Sequence, residues 1–140
     1  MNILRRIPQS ILLLLVPSDF ARGNILRQAA SQGISPNRIT FLSKMPWKKH
    51  LHRAAACDLL LDTFVYGAHT TASDMLWQWV PVVSLAAWGT GRMPSRVAAS
   101  IIESLSSPIF SSHRAADYLS GQPYHAVAYS VFEYEDIVVR

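Results

Sequence analysis

"DLLLDTFVYGAHTTASDMLWQWVPVVSL", residues 58–85, packs two short apolar runs around a turn and a helix-like stretch. The runs, DLLLDT at 58–63 and PVVSL at 81–85, have the length and composition of strands buried in a parallel sheet. Between them the chain turns through Gly67, and residues 71–79 read as a helix beginning at about Thr70-Thr71. Strand, helix, strand is a βαβ unit. The same alternation runs upstream and downstream, with ILLLLV (11–16) and ITFLS (39–43) as further strands. Helix-like stretches fall at about 20–32, 47–56 and 93–105, the first closed by Gly33 with Pro36. The reading is an α/β fold on a parallel sheet.

Right-handed crossovers bring the C-terminal ends of parallel strands to one edge of a sheet, and ligands of open α/β sheets bind there. The loops after residues 16, 43, 63 and 85 are therefore where chemistry is expected. Residues 107–132 break the pattern. They are rich in Ser, Tyr and Ala, with turn signals at Pro108 and Gly121-Gln122-Pro123, and read as an irregular insertion before a short final helix near 131–139.

Composition excludes several classes. At 140 residues, with 50% hydrophobic and 16% charged residues, the chain can bury a real core and is not disordered. The net charge of +4 permits a phosphate-bearing partner. No Lys/Arg run longer than a pair occurs, so no nucleic-acid partner is expected. Arg5-Arg6 followed by ILLLLV has a superficial signal-peptide look, but six apolar residues are short for that role and far short of a membrane span. Cys57 is the only cysteine, which rules out an internal disulfide and makes a reducing compartment the default. Beside a strand, its thiol is expected to be inert. Five histidines and one cysteine show no metal-ligand spacing, and no G-x-S-x-G elbow is present.

The turn at 67–71 is the richest candidate. A helix N-terminus carries unpaired N–H groups and partial positive charge, so it can bind an anion. Hydroxyls from Thr70 and Thr71 and the imidazole of His69 would add donors. A plainer account is a capping box, Thr71-Ala72-Ser73-Asp74, with Asp in place of Glu. Spacing alone leaves both open. Asp74 would repel phosphates, so in the first account it bonds sugar hydroxyls instead. The Gly-rich GTGRMPS at 89–95 lacks the Gly-Lys-Ser/Thr ending of a phosphate loop.

At these residues the chain resembles a known family. RAAACDLLLDTFVYGAHTTASDMLW (53–77), the PVVSL run and SRVAASII (95–102) are similar to the catalytic region of the protein O-GlcNAc transferases, a family that includes the SPINDLY-type O-fucosyltransferases. ILRRIPQSILLLLVP, GNILRQAASQGISPNRITF and KKHLHRAAACDLLLDT stand in family order, and EYEDIVV (133–139) resembles it again. The resemblance implies a Rossmann-like, nucleotide-sugar-binding C-terminal lobe of a GT-B glycosyltransferase. It divides the chain into a partial lobe at 1–106, the insertion at 107–132 and the start of a C-terminal helix at 133–140. It places His69, Thr70 and Thr71 on the donor diphosphate, Asp74 on the ribose, and His50 and Arg53 beside the base. On the residues alone the plainer accounts are favoured, His50 as an ordinary surface histidine and Arg53 as a side chain snorkelling from its helix.

The implied activity is inverting transfer of N-acetylglucosamine from UDP-GlcNAc to Ser/Thr hydroxyls of protein acceptors, with no cofactor and no metal. No catalytic residue is assignable in this lobe. The alternatives are a GDP-fucose protein O-fucosyltransferase and a catalytically silent nucleotide-binding or interaction module. The family's tetratricopeptide repeats, its other lobe and a donor-phosphate lysine are not among these residues, so the chain alone is expected to be inactive. A cytoplasmic or nuclear location follows from the family. Three departures stand out: Trp47 where some members carry lysine, with Lys48 and Lys49 beside it; Trp79 where glycine is usual; and a loop at 86–94 about three residues longer than the family's.

Overall fold

The computed structural model describes residues 1–86, 92–105 and 126–140. Gly89 and Gly91 of the Gly-rich loop, and residues 107–125 of the expected insertion, lie outside the described residues. The chain forms two compact units, Met1–Trp47 with Val139, and Lys48–Val138 with Arg140.

The first unit is one βαβ turn preceded by a short helix. Its elements are α1 (Asn2–Arg6), β1 (Leu12–Leu14), α2 (Asp19–Ser31), a 3-10 turn (Pro36–Arg38) and β2 (Ile39–Phe41). β1 and β2 pair in parallel, Leu12 opposite Ile39 and Leu14 opposite Phe41. Ser18 caps α2 by accepting from the Ala21 amide at 3.3 Å. At its other end Gly33 takes φ +73, and the amides of Gly33 and Ile34 return to the Ala30 and Ala29 carbonyls, each at 3.0 Å. This Schellman closure is the stop read from Gly33 in the sequence. Leu4, Ala29, Ile34 and Ile39 form the core, with Leu12, Leu14, Ile25 and Phe41 packed on it. Arg38 ties the start of β2 to the turn after α1, donating to the Ile7 and Ser10 carbonyls at 2.7 and 2.9 Å.

β1 differs from the expected fully buried strand. Leu12 and Leu14 face the core, while Ile11, Leu13 and Leu15 are exposed at 61, 38 and 50%. An unbroken apolar run signals burial on both faces, yet the core of this unit is gathered on one.

The second unit comprises α3 (Trp47–Ala54, its first residue belonging to the other unit), β3 (Leu60–Leu61), α4 (Thr70–Trp77), β4 (Val82–Leu85), a 3-10 turn (Met93–Ser95), α5 (Val97–Leu105), β5 (Val127–Ala128) and α6 (Val131–Val139). β4 lies between β3 and β5, all parallel. Its four residues are buried, as a central strand requires; α4 and α5 both lie against it, and Met75 of α4 and Ala98, Ala99 and Ile102 of α5 are buried as well. The expected α/β architecture with parallel strands is what forms.

The boundary of the irregular segment needs correction. Within it Val127–Ala128 form β5, where the Ser84 amide bonds the Ala126 carbonyl at 2.9 Å and the Ala86 amide bonds that of Ala128 at 2.8 Å, while α6 starts at Val131, where the final helix is expected. A two-residue strand of Val and Ala is too short to show periodicity, and only its place beside β4 makes it a strand. Ser130 caps α6, accepting from the Glu133 amide at 3.1 Å, while the Glu133 carboxylate accepts from the Tyr129 amide at 2.8 Å.

α4 ends in the same closure as α2, with amides of Trp79 and Val80 returning to the Leu76 and Met75 carbonyls at 3.0 Å. Here the left-handed residue, at φ +62, is Trp79. That conformation favours glycine, because a Cβ crowds the following carbonyl. This chain holds tryptophan in that conformation at a cost.

Candidate functional site

The loop from β3 into α4 is organised by a residue the sequence reading did not single out. Asp62 ends β3, its amide still on the ladder to the Val83 carbonyl at 3.0 Å, and its side chain is only 5% exposed. Oδ1 accepts from the amides of Thr63 at 2.8 Å and Ala68 at 2.6 Å, and Oδ2 accepts from the Ser84 hydroxyl at 2.6 Å. Three neutral donors meet the requirement that a buried carboxylate be hydrogen-bonded. Tyr134 of α6 donates to the Asp62 carbonyl at 3.0 Å and meets the Phe64 ring edge-on at 5.1 Å. Burial, and secondarily the Asp62 charge, push the Tyr134 phenol up, so it stays protonated as that donor. The signal that could have found Asp62 is a carboxylate at the end of an otherwise apolar strand, where a solvated aspartate has no reason to be.

Gly67 passes close over this carboxylate. A Cβ there would lie 3.0 Å from Asp62 Oδ2 and 3.2 Å from the Pro94 carbonyl oxygen. The Pro94 carbonyl accepts from the Gly67 amide at 3.0 Å and contacts His69 Nε2 at 3.2 Å. A carbonyl can only accept, so Nε2 carries the proton, and Nδ1 of the neutral ring is an acceptor. The imidazole stacks on Tyr66, 5.1 Å between centroids. Toward an anion, His69 therefore supplies a second ring donor only as imidazolium.

His69 is the N-cap of α4 and makes no side-chain capping bond. Thr70 and Thr71 follow as its first two helical residues, both exposed, and the first bond back to the cap is from the Ser73 amide to the His69 carbonyl at 3.3 Å. The amides of Thr70, Thr71 and Ala72 precede that bond, in the position from which helix termini donate to anions. Thr71 is not the cap, so the capping-box account of Thr71 and Asp74 does not describe this helix. Asp74 sits half-buried one turn on, at i+4 from Thr70 and i+3 from Thr71.

His50 and Arg53 share a face of α3, half-buried, with Arg53 Nη2 3.4 Å from His50 Nδ1. The six expected site residues thus fall in two clusters, one on α3 and one at the start of α4, both in the second unit. Trp47, Lys48 and Lys49 at the start of α3 are exposed. Cys57 is half-buried with Sγ 3.8 Å from the Arg53 carbonyl oxygen, and burial, then Asp58, raise its thiol against the lowering effect of Arg53. That suits a weakly reactive thiol. Among the described residues no helix is long and apolar enough to cross a membrane.

Comparison with known proteins agrees with this architecture. Residues 1–126 match the model of glycosyl transferase family 41. The chain is 36% identical over 100 residues to the probable UDP-N-acetylglucosamine–peptide N-acetylglucosaminyltransferase SEC of Arabidopsis thaliana, covering 71% of this chain and 10% of that protein. It is 31% identical over 119 residues to the UDP-N-acetylglucosamine–peptide N-acetylglucosaminyltransferase of Caenorhabditis elegans, covering 85% of this chain and 10% of that protein. A solved structure of a lysine-to-methionine mutant of the Thermobaculum terrenum O-GlcNAc transferase superposes with a TM-score of 0.74 at 26% identity, over 99% of this chain and 24% of that one. The chain thus spans about a tenth of the length of the curated relatives it matches. On the family model and on both relatives, the chain belongs to glycosyl transferase family 41.

Proposed function

We propose that this chain supplies the nucleotide-sugar-binding part of a protein O-GlcNAc transferase, with UDP-N-acetylglucosamine as donor and Ser/Thr hydroxyls of proteins as acceptors. The observation that carries the reading is the start of α4: three backbone amides and two exposed threonine hydroxyls, ahead of the first intrahelical bond and with no capping side chain on them. There the diphosphate accepts from the Thr70 and Thr71 groups, and the helix dipole favours its charge. As the sugar–phosphate bond breaks, the same donors stabilise the negative charge on the leaving diphosphate; a single well-placed donor to a developing oxyanion contributes about 2.7–4 kcal/mol in acyl-transfer sites. In this reading no metal is needed for that step. Asp74 takes the ribose hydroxyls, His50 stacks on the base, and Arg53 meets its carbonyl oxygens.

Holding a donor is not transferring it. Fixing donor and acceptor together is worth about 7–11 kcal/mol of barrier. The relatives' activity is that of chains about ten times longer, and the 140 residues alone are expected to bind without turnover.

Calorimetry on the 140-residue chain with UDP, GDP and uridine tests the reading. UDP should bind more tightly than GDP, and the double substitution Thr70→Val/Thr71→Val should abolish the diphosphate contribution while uridine binding changes little. Equal binding of UDP and GDP would remove the uridine assignment and favour a GDP-fucose donor. A double mutant that binds UDP normally would remove the helix-terminus site.

A further inference from the structure

Asp62 is a costly residue to bury. A carboxylate loses its hydration on leaving water, and one near a diphosphate site also repels the ligand. Among the described residues the side-chain partners that offset this cost are three neutral donors, one of them on β4 and two on the loop that leads into α4. The loop partners are not incidental. Ala68, bonded at 2.6 Å, immediately precedes the N-cap His69. Gly67, beside it, lies so close to the carboxylate that a Cβ would stand 3.0 Å from Oδ2. The loop is therefore wrapped around Asp62 and fastened on its other side to the Pro94 carbonyl through the Gly67 amide and the His69 ring.

We infer that Asp62 is a positioning residue of the anion site: its carboxylate, held by Ser84, fixes Ala68 and so sets the direction in which the first amides and hydroxyls of α4 point. This rests on the donor-site reading of α4. His69 sits at φ −112 and ψ −97, away from the extended backbone of the usual N-cap and without a side-chain capping bond to define it. With no cap of its own, the helix start takes its geometry from the bonds on either side of His69. Those are Asp62 to Ala68 before it and the Pro94 carbonyl beside it. Asp62 touches no ligand in this role. It acts through the backbone.

The role belongs to hydrogen-bond geometry rather than to charge, and the conservative variant separates the two. In Asp62→Asn the side-chain oxygen still accepts from the Thr63 and Ala68 amides, and the amide nitrogen donates to the Ser84 hydroxyl, which can accept. In Asp62→Ala both loop amides lose their acceptor. Three readouts on the 140-residue chain follow. Hydrogen exchange of the Ala68 amide should be slow in the unaltered chain and in Asp62→Asn, and faster by about tenfold or more in Asp62→Ala. UDP affinity should fall about tenfold or more in Asp62→Ala, with uridine affinity little changed and UDP affinity in Asp62→Asn close to the unaltered value. Ile102→Val, a core change in α5 away from the loop, serves as the comparison for stability loss alone and should leave UDP affinity unchanged.

Unchanged UDP binding by folded Asp62→Ala would overturn the inference, and so would equal Ala68 exchange in all variants. Asp62→Asn failing as badly as Asp62→Ala would also overturn it, since charge would then matter and not geometry. Failure of the donor-site reading shows separately, as absence of UDP binding by the unaltered chain. In that case Asp62 has no anion site to position, whatever the exchange at Ala68.

Discussion

Placing one methyl group on Gly67 examines the packing around the loop directly. In Gly67→Ala the Cβ would lie 3.0 Å from Asp62 Oδ2, 3.3 Å from Oδ1 and 3.2 Å from the Pro94 carbonyl oxygen. Each separation is shorter than ordinary carbon–oxygen contact, so something must move. The carboxylate is held from its far side by Ser84 at 2.6 Å, and the Pro94 oxygen is backbone that already accepts from Gly67 itself. Neither yields as a flexible side chain would. Overpacking of this kind costs about 1–3 kcal/mol, while alanine's smaller unfolded-state freedom returns about 0.4–1 kcal/mol. The expected net loss is about 1–2 kcal/mol, a fall in Tm of roughly 3–8 °C for a chain of this size.

Gly23→Ala is the matched comparison. It lies within α2 with nothing within 4 Å of the added Cβ, and should stabilise by about 0.5–1 kcal/mol. Urea unfolding followed by circular dichroism, with slopes compared to confirm that only the midpoint moves, measures both. Gly67→Ala should also weaken UDP binding, because the shift falls on Ala68. A Gly67→Ala chain as stable as the parent, binding UDP equally, would show that the loop is not wrapped on Asp62 as described.

Three other outcomes follow from the same geometry. Trp79→Gly removes a left-handed strain of about 1–2 kcal/mol and adds about 0.4–1 kcal/mol of unfolded-state freedom; since the ring is 74% exposed, a net gain of up to about 1 kcal/mol is expected, and a lower urea midpoint would show that ring contacts outweigh the strain. Ser130→Ala removes the acceptor for the Glu133 amide and should cost about 1 kcal/mol, read as a lower urea midpoint, with no loss meaning that Glu133 alone secures the helix start. Burial and Asp58 hold the Cys57 thiol above its ordinary range, so iodoacetamide labelling of the folded chain at neutral pH should be slower than in urea and should accelerate only at higher pH than for free cysteine; equal rates would contradict the burial.

Local chemistry was enough for much of this fold. Apolar runs at 11–16, 39–43, 58–63 and 81–85 each hold a strand, paired in parallel as β1 with β2 and β3 with β4, and the run at 81–85 is buried throughout, as a central strand of a parallel sheet requires. Gly33 marked the end of α2 since few other residues take φ +73 easily. His69, Thr70 and Thr71 were legible at the start of α4, as a turn signal followed by helical periodicity places them there without knowledge of the rest of the chain.

What remained hidden depends on partners distant in sequence. β5 is two residues long and exists because Ser84 and Ala86 offer it amides. One face of β1 stays exposed because the core forms on the other side, which hydrophobicity alone does not reveal. Trp79 gives no sign of φ +62 in its own identity; the closure of α4 onto Met75 imposes it. Asp62 looked like a strand end, and its role arises from Ser84, 22 residues on, and Tyr134, 72 residues on, meeting at one point. Sequence pattern reports period and local conformational preference. Which buried polar group finds which donor is decided only when the chain closes on itself, because the cost of burying that group can be met only by atoms brought to it through tertiary packing.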